Sequence, residues 1–119
     1  MVNSGVISVE KLQKLLEAII LRGEGGFTTE YSNNRSKTNV ARYDPSTAMI
    51  RMFLKNRKLR RKKRRSLLII GAAVHELAHH VLFVRRKPPV HSPLFFFTLG
   101  ELVERLRRRG ITLQSGDVL

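Results

Sequence analysis

The sequence predicts an α+β fold in one small domain, residues 1–119, and three observations predict it. Two amphipathic segments with helical periodicity bracket the chain, two short segments flanking a turn lie between them, the second alternating, and an apolar run at 66–84 is long enough for a buried core helix. With 119 residues and 42% hydrophobic content, the chain can bury one modest core. The absence of cysteine excludes a disulfide scaffold and a cysteine-based zinc finger, and it suits a reducing compartment. Residues 1–9 carry neither the basic cluster nor the long apolar run of a secretory signal, so a cytoplasmic location is expected.

The elements follow in order. A helix is expected over about 9–22, with Ser8 as its cap, Val9, Leu12, Leu15, Leu16, Ile19 and Ile20 as its apolar face, and Gly23 as its stop. Gly25-Gly26 releases the chain into a weak strand at 27–31, followed by a polar, turn-rich stretch at 32–37. Segments 38–43 and 48–54 flank Asp44-Pro45-Ser46-Thr47 and read as a hairpin. In the second, Ala48, Ile50, Met52 and Leu54 alternate with Met49, Arg51 and Phe53, and the small sheet of two or three strands is expected to be antiparallel. The helix over 66–84 carries Ile70, Val74, Leu77, Val81 and Val84 as one apolar stripe, with the small Gly71 and Ala72 where a bound group would need room. A last helix runs from about 93 to 109. Ser92 caps it, Pro93 takes its first position, Leu94, Phe95, Leu99, Leu102, Val103 and Leu106 form its packing side, and Gly110 stops it. Residues 111–119 read as a loose tail.

Within the apolar helix, His75-Glu76-Leu77-Ala78-His79 matches H-E-x-x-H. Histidines four residues apart stand one above the other on a helix face, so both imidazoles can reach one ion. The intervening Glu76 is turned away from them, positioned to act as general base on a metal-polarised water. A catalytic zinc takes three protein ligands. The third is best supplied by His91, which directly precedes the Ser92 cap after a prolyl turn; Glu101, Glu104 and Asp44 are the alternatives. Glu101 or Glu104 could instead accept a hydrogen bond from a ligand imidazole, and His80 reads as packing or as support for the ligands. Tyr43 or an arginine could stabilise an oxyanion, but spacing selects neither.

The His75–His79 motif, followed by a short excursion and then His91-Ser92-Pro93-Leu94-Phe95, resembles the zincin metallopeptidases of the SprT-like and minimal gluzincin type. Those proteins carry a later histidine in an H-G-P-x-F-like element. The resemblance covers roughly residues 38–106 by element order, and specific residues match at 74–80 and 91–95. It implies a minimal zincin-like fold: an N-terminal helix, a small antiparallel sheet, an active-site helix and a C-terminal helix. It also implies one zinc per chain on His75, His79 and His91, with Glu76 as base in peptide-bond hydrolysis. In such an arrangement the sheet's edge strand binds an extended peptide along the cleft, and either strand of the hairpin could be that edge. Ser92 stands where the family has glycine, and the cysteine-rich zinc ribbon of many SprT-like proteins has no counterpart.

Charge is the second strong signal, with Lys+Arg 23 against Asp+Glu 9. Nine of these cations fall in residues 55–65, and removing them from the net +14 leaves +5. The block points to a polyanion, and in the absence of interleaved aromatics the contact expected is with DNA or RNA phosphates rather than bases. Arg57, Lys58, Arg60, Arg61, Lys62, Lys63, Arg64 and Arg65 are the candidate contacts. Arg105, Arg107, Arg108 and Arg109 sit where a helix C-terminus favours cations.

Three classes of function follow. The leading one is a zinc metallopeptidase acting on protein or peptide substrates, recruited by nucleic acid through its basic segment. The second is a non-catalytic nucleic-acid-binding protein with a structural or vestigial metal site. The third is a membrane protein spanning at 66–84, but His75, Glu76, His79 and His80 make that an expensive span, so membrane association is not expected.

Overall fold

The first helix, α1 (Val9–Ile19), starts where Ser8 Oγ accepts a hydrogen bond from the Lys11 amide at 3.2 Å, and it buries Leu12, Leu16 and Ile19. It is the opening element of a computed structural model that describes residues 6–21, 23–34, 36, 39–59 and 64–118. The helix ends three residues before the expected 22. Ile20 is already extended (φ −94, ψ 163), and Arg105 Nη1 donates to the Ile19 carbonyl at 2.9 Å, giving the helix terminus a partner from across the fold. Gly23 belongs to the turn beyond the helix end.

Strands β1 (Thr28–Ser32), β2 (Ala41–Asp44) and β3 (Met49–Phe53) form a sheet in the order β1-β3-β2. The expected antiparallel sheet is instead mixed: β3 pairs antiparallel with β2 and parallel with β1. After β1 the chain passes beyond the place that β3 will fill. β2 then runs back at the far edge, and its hairpin partner β3 drops into the gap in the same direction as β1. Of the expected strand 38–43, Thr38 lies outside the described residues. The alternation in β3 is as read, with Ile50 and Met52 fully buried and Arg51 exposed. Asp44 Oδ1 tightens the hairpin turn by accepting from the Ser46 amide (3.0 Å) and hydroxyl (2.7 Å).

Phe53 N–H donates to the Val40 carbonyl at 2.8 Å, which sets the alternation of the β2 ladder. Ala41 and Tyr43 therefore turn their backbone groups away from β3, toward the open edge. Helix α2 (Arg65–Val84) packs against β2 and β3. Its length and mean hydropathy of 1.8 would suit a membrane span, but 56% of that stretch is buried inside the fold, as in a core helix. Ile69, Ala73, Val74, Leu77 and Ala78 are fully buried in it.

Gly71 does not make room for a ligand. A Cβ there would stand 1.9 Å from the carbonyl oxygen of Asp117, so the glycine admits the C-terminal segment. That segment is no loose tail: Ile111, Leu113 and Val118 pack on the core, and a 3-10 turn at Ser115–Asp117 follows. Asp117 is 4% exposed, accepts from the Gln114 amide at 2.7 Å and pairs with the Arg64 guanidinium.

Helix α3 (Pro93–Arg108) begins as expected, with Ser92 Oγ accepting from the Phe95 amide at 3.3 Å and Pro93 in the first turn. Phe95, Leu99, Leu102 and Leu106 are buried, whereas Leu94 is 40% exposed. Gly110 (φ 89) closes the helix, and Ile111 N–H reaches back to the Leu106 carbonyl at 3.1 Å. The same closure ends α2 without a glycine: Arg86 has φ 58, with Arg86 N–H on Phe83 O (3.0 Å) and Lys87 N–H on Leu82 O (2.9 Å). This tight reversal turns the chain back toward the face of α2 that carries His75 and His79.

Candidate metal centre

The two motif histidines share a face of α2, and the reversal at Arg86 delivers His91 to it from the sequence beyond the helix. One ligating atom from each of His75, His79 and His91 lies within 4.8 Å of the others. His79 Nε2 and His91 Nε2 are 3.1 Å apart. Two nitrogens each about 2.0–2.1 Å from a tetrahedral ion stand roughly 3.3–3.4 Å apart, so this pair is near the spacing that one ion requires. His75 Nδ1 is buried with no hydrogen-bond partner, a polar atom that the protein alone leaves unanswered. The donor set and its convergence fit a metal ion, and imidazole nitrogens are donors that zinc favours.

Phe95 holds the rings in place. Fully buried at the start of α3, its ring centroid lies 4.9 Å from that of His75, 4.6 Å from His79 and 4.7 Å from His91. The sequence marks Phe95 only as a packing residue; its position four after His91, on the first turn of a capped helix, is the signal that could have placed it under the imidazoles.

Burial lowers the His75 pKa to about 4, and positive charge on His79 or His91 would add to the effect; His79 is lowered for the same reasons, burial first and His91 second. Neutral imidazole, the form that binds metal, therefore prevails at neutral pH. Burial raises Glu76 to about 7, opposed by the Tyr43 backbone N–H that donates to its carboxylate. A cation on the histidines would pull this value down, toward an ionised base.

The alternative ligands lie elsewhere. Glu101 pairs with Arg105 (3.6 Å), Glu104 pairs with Arg107 (2.6 Å) and Arg108 (3.3 Å), and Asp44 is occupied by Ser46. His80 faces the other way. It is 2% exposed, with Nε2 at 2.9 Å from the Glu24 carbonyl and 3.2 Å from that of Gly25, and Nδ1 at 2.7 Å from the Tyr43 hydroxyl. Carbonyls only accept, so Nε2 carries the proton and Tyr43 donates to Nδ1. The one hydroxyl proton of Tyr43 is thereby engaged, which removes it as an oxyanion donor in this conformation.

A cleft runs past the histidines along β2. On one side it opens into about 770 Å³ bounded by Arg42, Tyr43, Phe83, Lys87 and Pro89. On the other it narrows to about 240 Å³ bounded by Lys58, Leu59, Leu68, Ala72 and Asp117. Asn39, Ala41, His75, Glu76 and His91 border both parts, so the candidate centre sits in the middle of the cleft. Ala72 thus keeps the place expected of it beside the site.

The basic segment divides. Arg57 and Lys58 are exposed on a 3-10 turn (Arg57–Leu59) anchored by buried Leu59. Arg60, Arg61, Lys62 and Lys63 lie outside the described residues. Arg64 and Arg65 are engaged inward, the first with Asp117 and the second through Nη2 on the Leu54 carbonyl at 3.4 Å, so neither is a free phosphate contact. Comparison with protein-family models, with curated proteins and with solved structures finds no match to this chain.

Proposed function

We propose that this chain is a zinc-dependent metallopeptidase of minimal zincin type, with one zinc held by His75, His79 and His91. The observation that carries this reading is the convergence of three imidazole donors beside a half-buried glutamate, in a cleft that follows the open edge of a strand. Zinc bound there supplies a Lewis acid that polarises the attacking water and the scissile carbonyl. Ala41, with its backbone groups turned outward, holds an extended peptide by main-chain hydrogen bonds. Glu76, fixed by the Tyr43 amide, takes the proton of the water as it adds to the carbonyl and delivers it to the departing amine. Arg57 and Lys58, together with residues 60–63, serve to recruit the enzyme through nucleic-acid phosphates, and its setting is the cytoplasm.

The test pairs metal analysis with turnover of an unstructured protein. Wild type should hold about one zinc per chain and cleave, and Glu76→Gln should keep the zinc but lose at least ~10²-fold in rate. Undiminished cleavage by Glu76→Gln would remove Glu76 from the mechanism. Zinc binding without cleavage, with nucleic acid present or absent, would leave a metal-stabilised binding protein.

A further inference from the structure

The charge around the cleft is one-sided. Lys58 borders its narrow end, Arg42 and Lys87 border its wide end, and all three are exposed. None of the three forms an ion pair among the described residues, whereas Arg64 pairs with Asp117 and Arg85 with Glu24, the latter at 2.6 Å. Of the two acidic residues that border the cleft, Asp117 is buried against Arg64, which leaves Glu76 alone to face three cations. Unpaired cations therefore line both parts of the cleft, with His75 and His91 bordering each.

From this juxtaposition we infer that the cleft selects acidic peptides, with carboxylate side chains on both sides of the segment lying over His75, His79 and His91. The inference rests on the peptidase reading for its cleavage step, but the binding preference stands on geometry and charge alone. An extended peptide advances about 3.3 Å per residue. Carboxylates spaced a few residues either side of the centre can thus approach Lys58 and Lys87 together while the backbone follows β2. Opposite charge at the two ends favours this class of substrate and repels basic peptides.

The test measures fluorescence anisotropy with labelled peptides on the Glu76→Gln protein, so that binding is read without turnover. One peptide carries Glu on both sides of its centre, the second Gln at the same positions, and the third Lys. The Glu peptide should bind on the order of tenfold tighter than the Gln peptide at low salt, with the Lys peptide weakest. Lys58→Glu with Lys87→Glu should abolish or reverse that order without changing zinc content. Lys11→Glu with Lys14→Glu, the same change of net charge on the exposed side of α1, should leave it within about twofold. Equal binding of the Glu and Gln peptides, or an equal loss in both double variants, would overturn the inference. Cleavage of Glu and Gln peptides at one rate by zinc-loaded wild type would overturn it while leaving the peptidase reading intact. Tight, Lys58- and Lys87-dependent binding without any cleavage would do the opposite.

Discussion

His79 and His80 are neighbours in the chain, yet α2 gives them opposite lives. His80 points into the fold, where both ring nitrogens have partners: the Tyr43 hydroxyl on one, the Glu24 and Gly25 carbonyls on the other. His79 points to the cleft, where its Nε2 meets another imidazole nitrogen and nearby His75 Nδ1 meets nothing. A histidine whose hydrogen bonds are closed by the protein serves the fold. Histidines whose nitrogens converge with no acceptor between them invite an ion. One hundred degrees of helix rotation separates the two conditions.

The sharpest way to break this contrast is to truncate each side. His79→Ala or His91→Ala should weaken zinc binding by more than roughly 100-fold, beyond the range seen for supporting residues around a metal. His80→Ala should leave zinc stoichiometry intact but destabilise the fold by about 2–4 kcal/mol, because it opens a cavity and strands the Tyr43 hydroxyl and two carbonyls. Metal titration and denaturant melts of the three variants check both halves. Loss of zinc from His80→Ala under conditions where it stays folded would dissolve the distinction.

A pH series on chelator-treated protein sharpens it further. His75 has its pKa lowered from 6.5 to about 4, so the folded state refuses a proton that the unfolded chain accepts. Its contribution is complete above pH 6.5 and is lost as pH falls toward 4; His79 acts in the same direction. Glu76, raised from 4.5 to about 7, acts oppositely: its cost to the fold grows as pH rises from 4.5 to 7 and fades on acidification. In wild type the two partly cancel. Glu76→Gln should therefore be more stable than wild type above pH 7, by about 1–2 kcal/mol after allowance for partial exposure, and should lose stability more steeply below pH 6.5. Parallel melting curves for the two proteins across pH 4–8 would refute this account.

The smallest expected effect tests the turn that brings His91 over the ligand face. Arg86 holds φ 58, a conformation that glycine adopts without strain. Arg86→Gly should raise stability by about 0.5–1 kcal/mol and leave zinc content unchanged. A thermal melt that falls instead would mean that the arginine side chain has a role of its own.

The sequence by itself determined the features governed by local geometry. Four-residue spacing puts His75 and His79 on one face, Ser8 and Ser92 cap the helices they precede, Gly110 closes α3, and the alternation in β3 buries Ile50 and Met52. It also singled out His91, because the prolines and the Ser92 cap confine that residue to the short reversal after α2. The tertiary structure decided whatever depended on partners distant in the chain. The place of β3 between β1 and β2 made the sheet mixed and β2 its free edge. The approach of Asp117 explains Gly71 and turns an apparent tail into part of the core, and Glu24, Gly25 and Tyr43 make His80 structural. Phe95 became the floor of the three imidazoles only when α3 packed against α2. Periodicity and capping act within a few residues and leave a local pattern, whereas burial and hydrogen-bond partners come from other segments of the chain, fifty-six residues away for His80 and Glu24, and leave none.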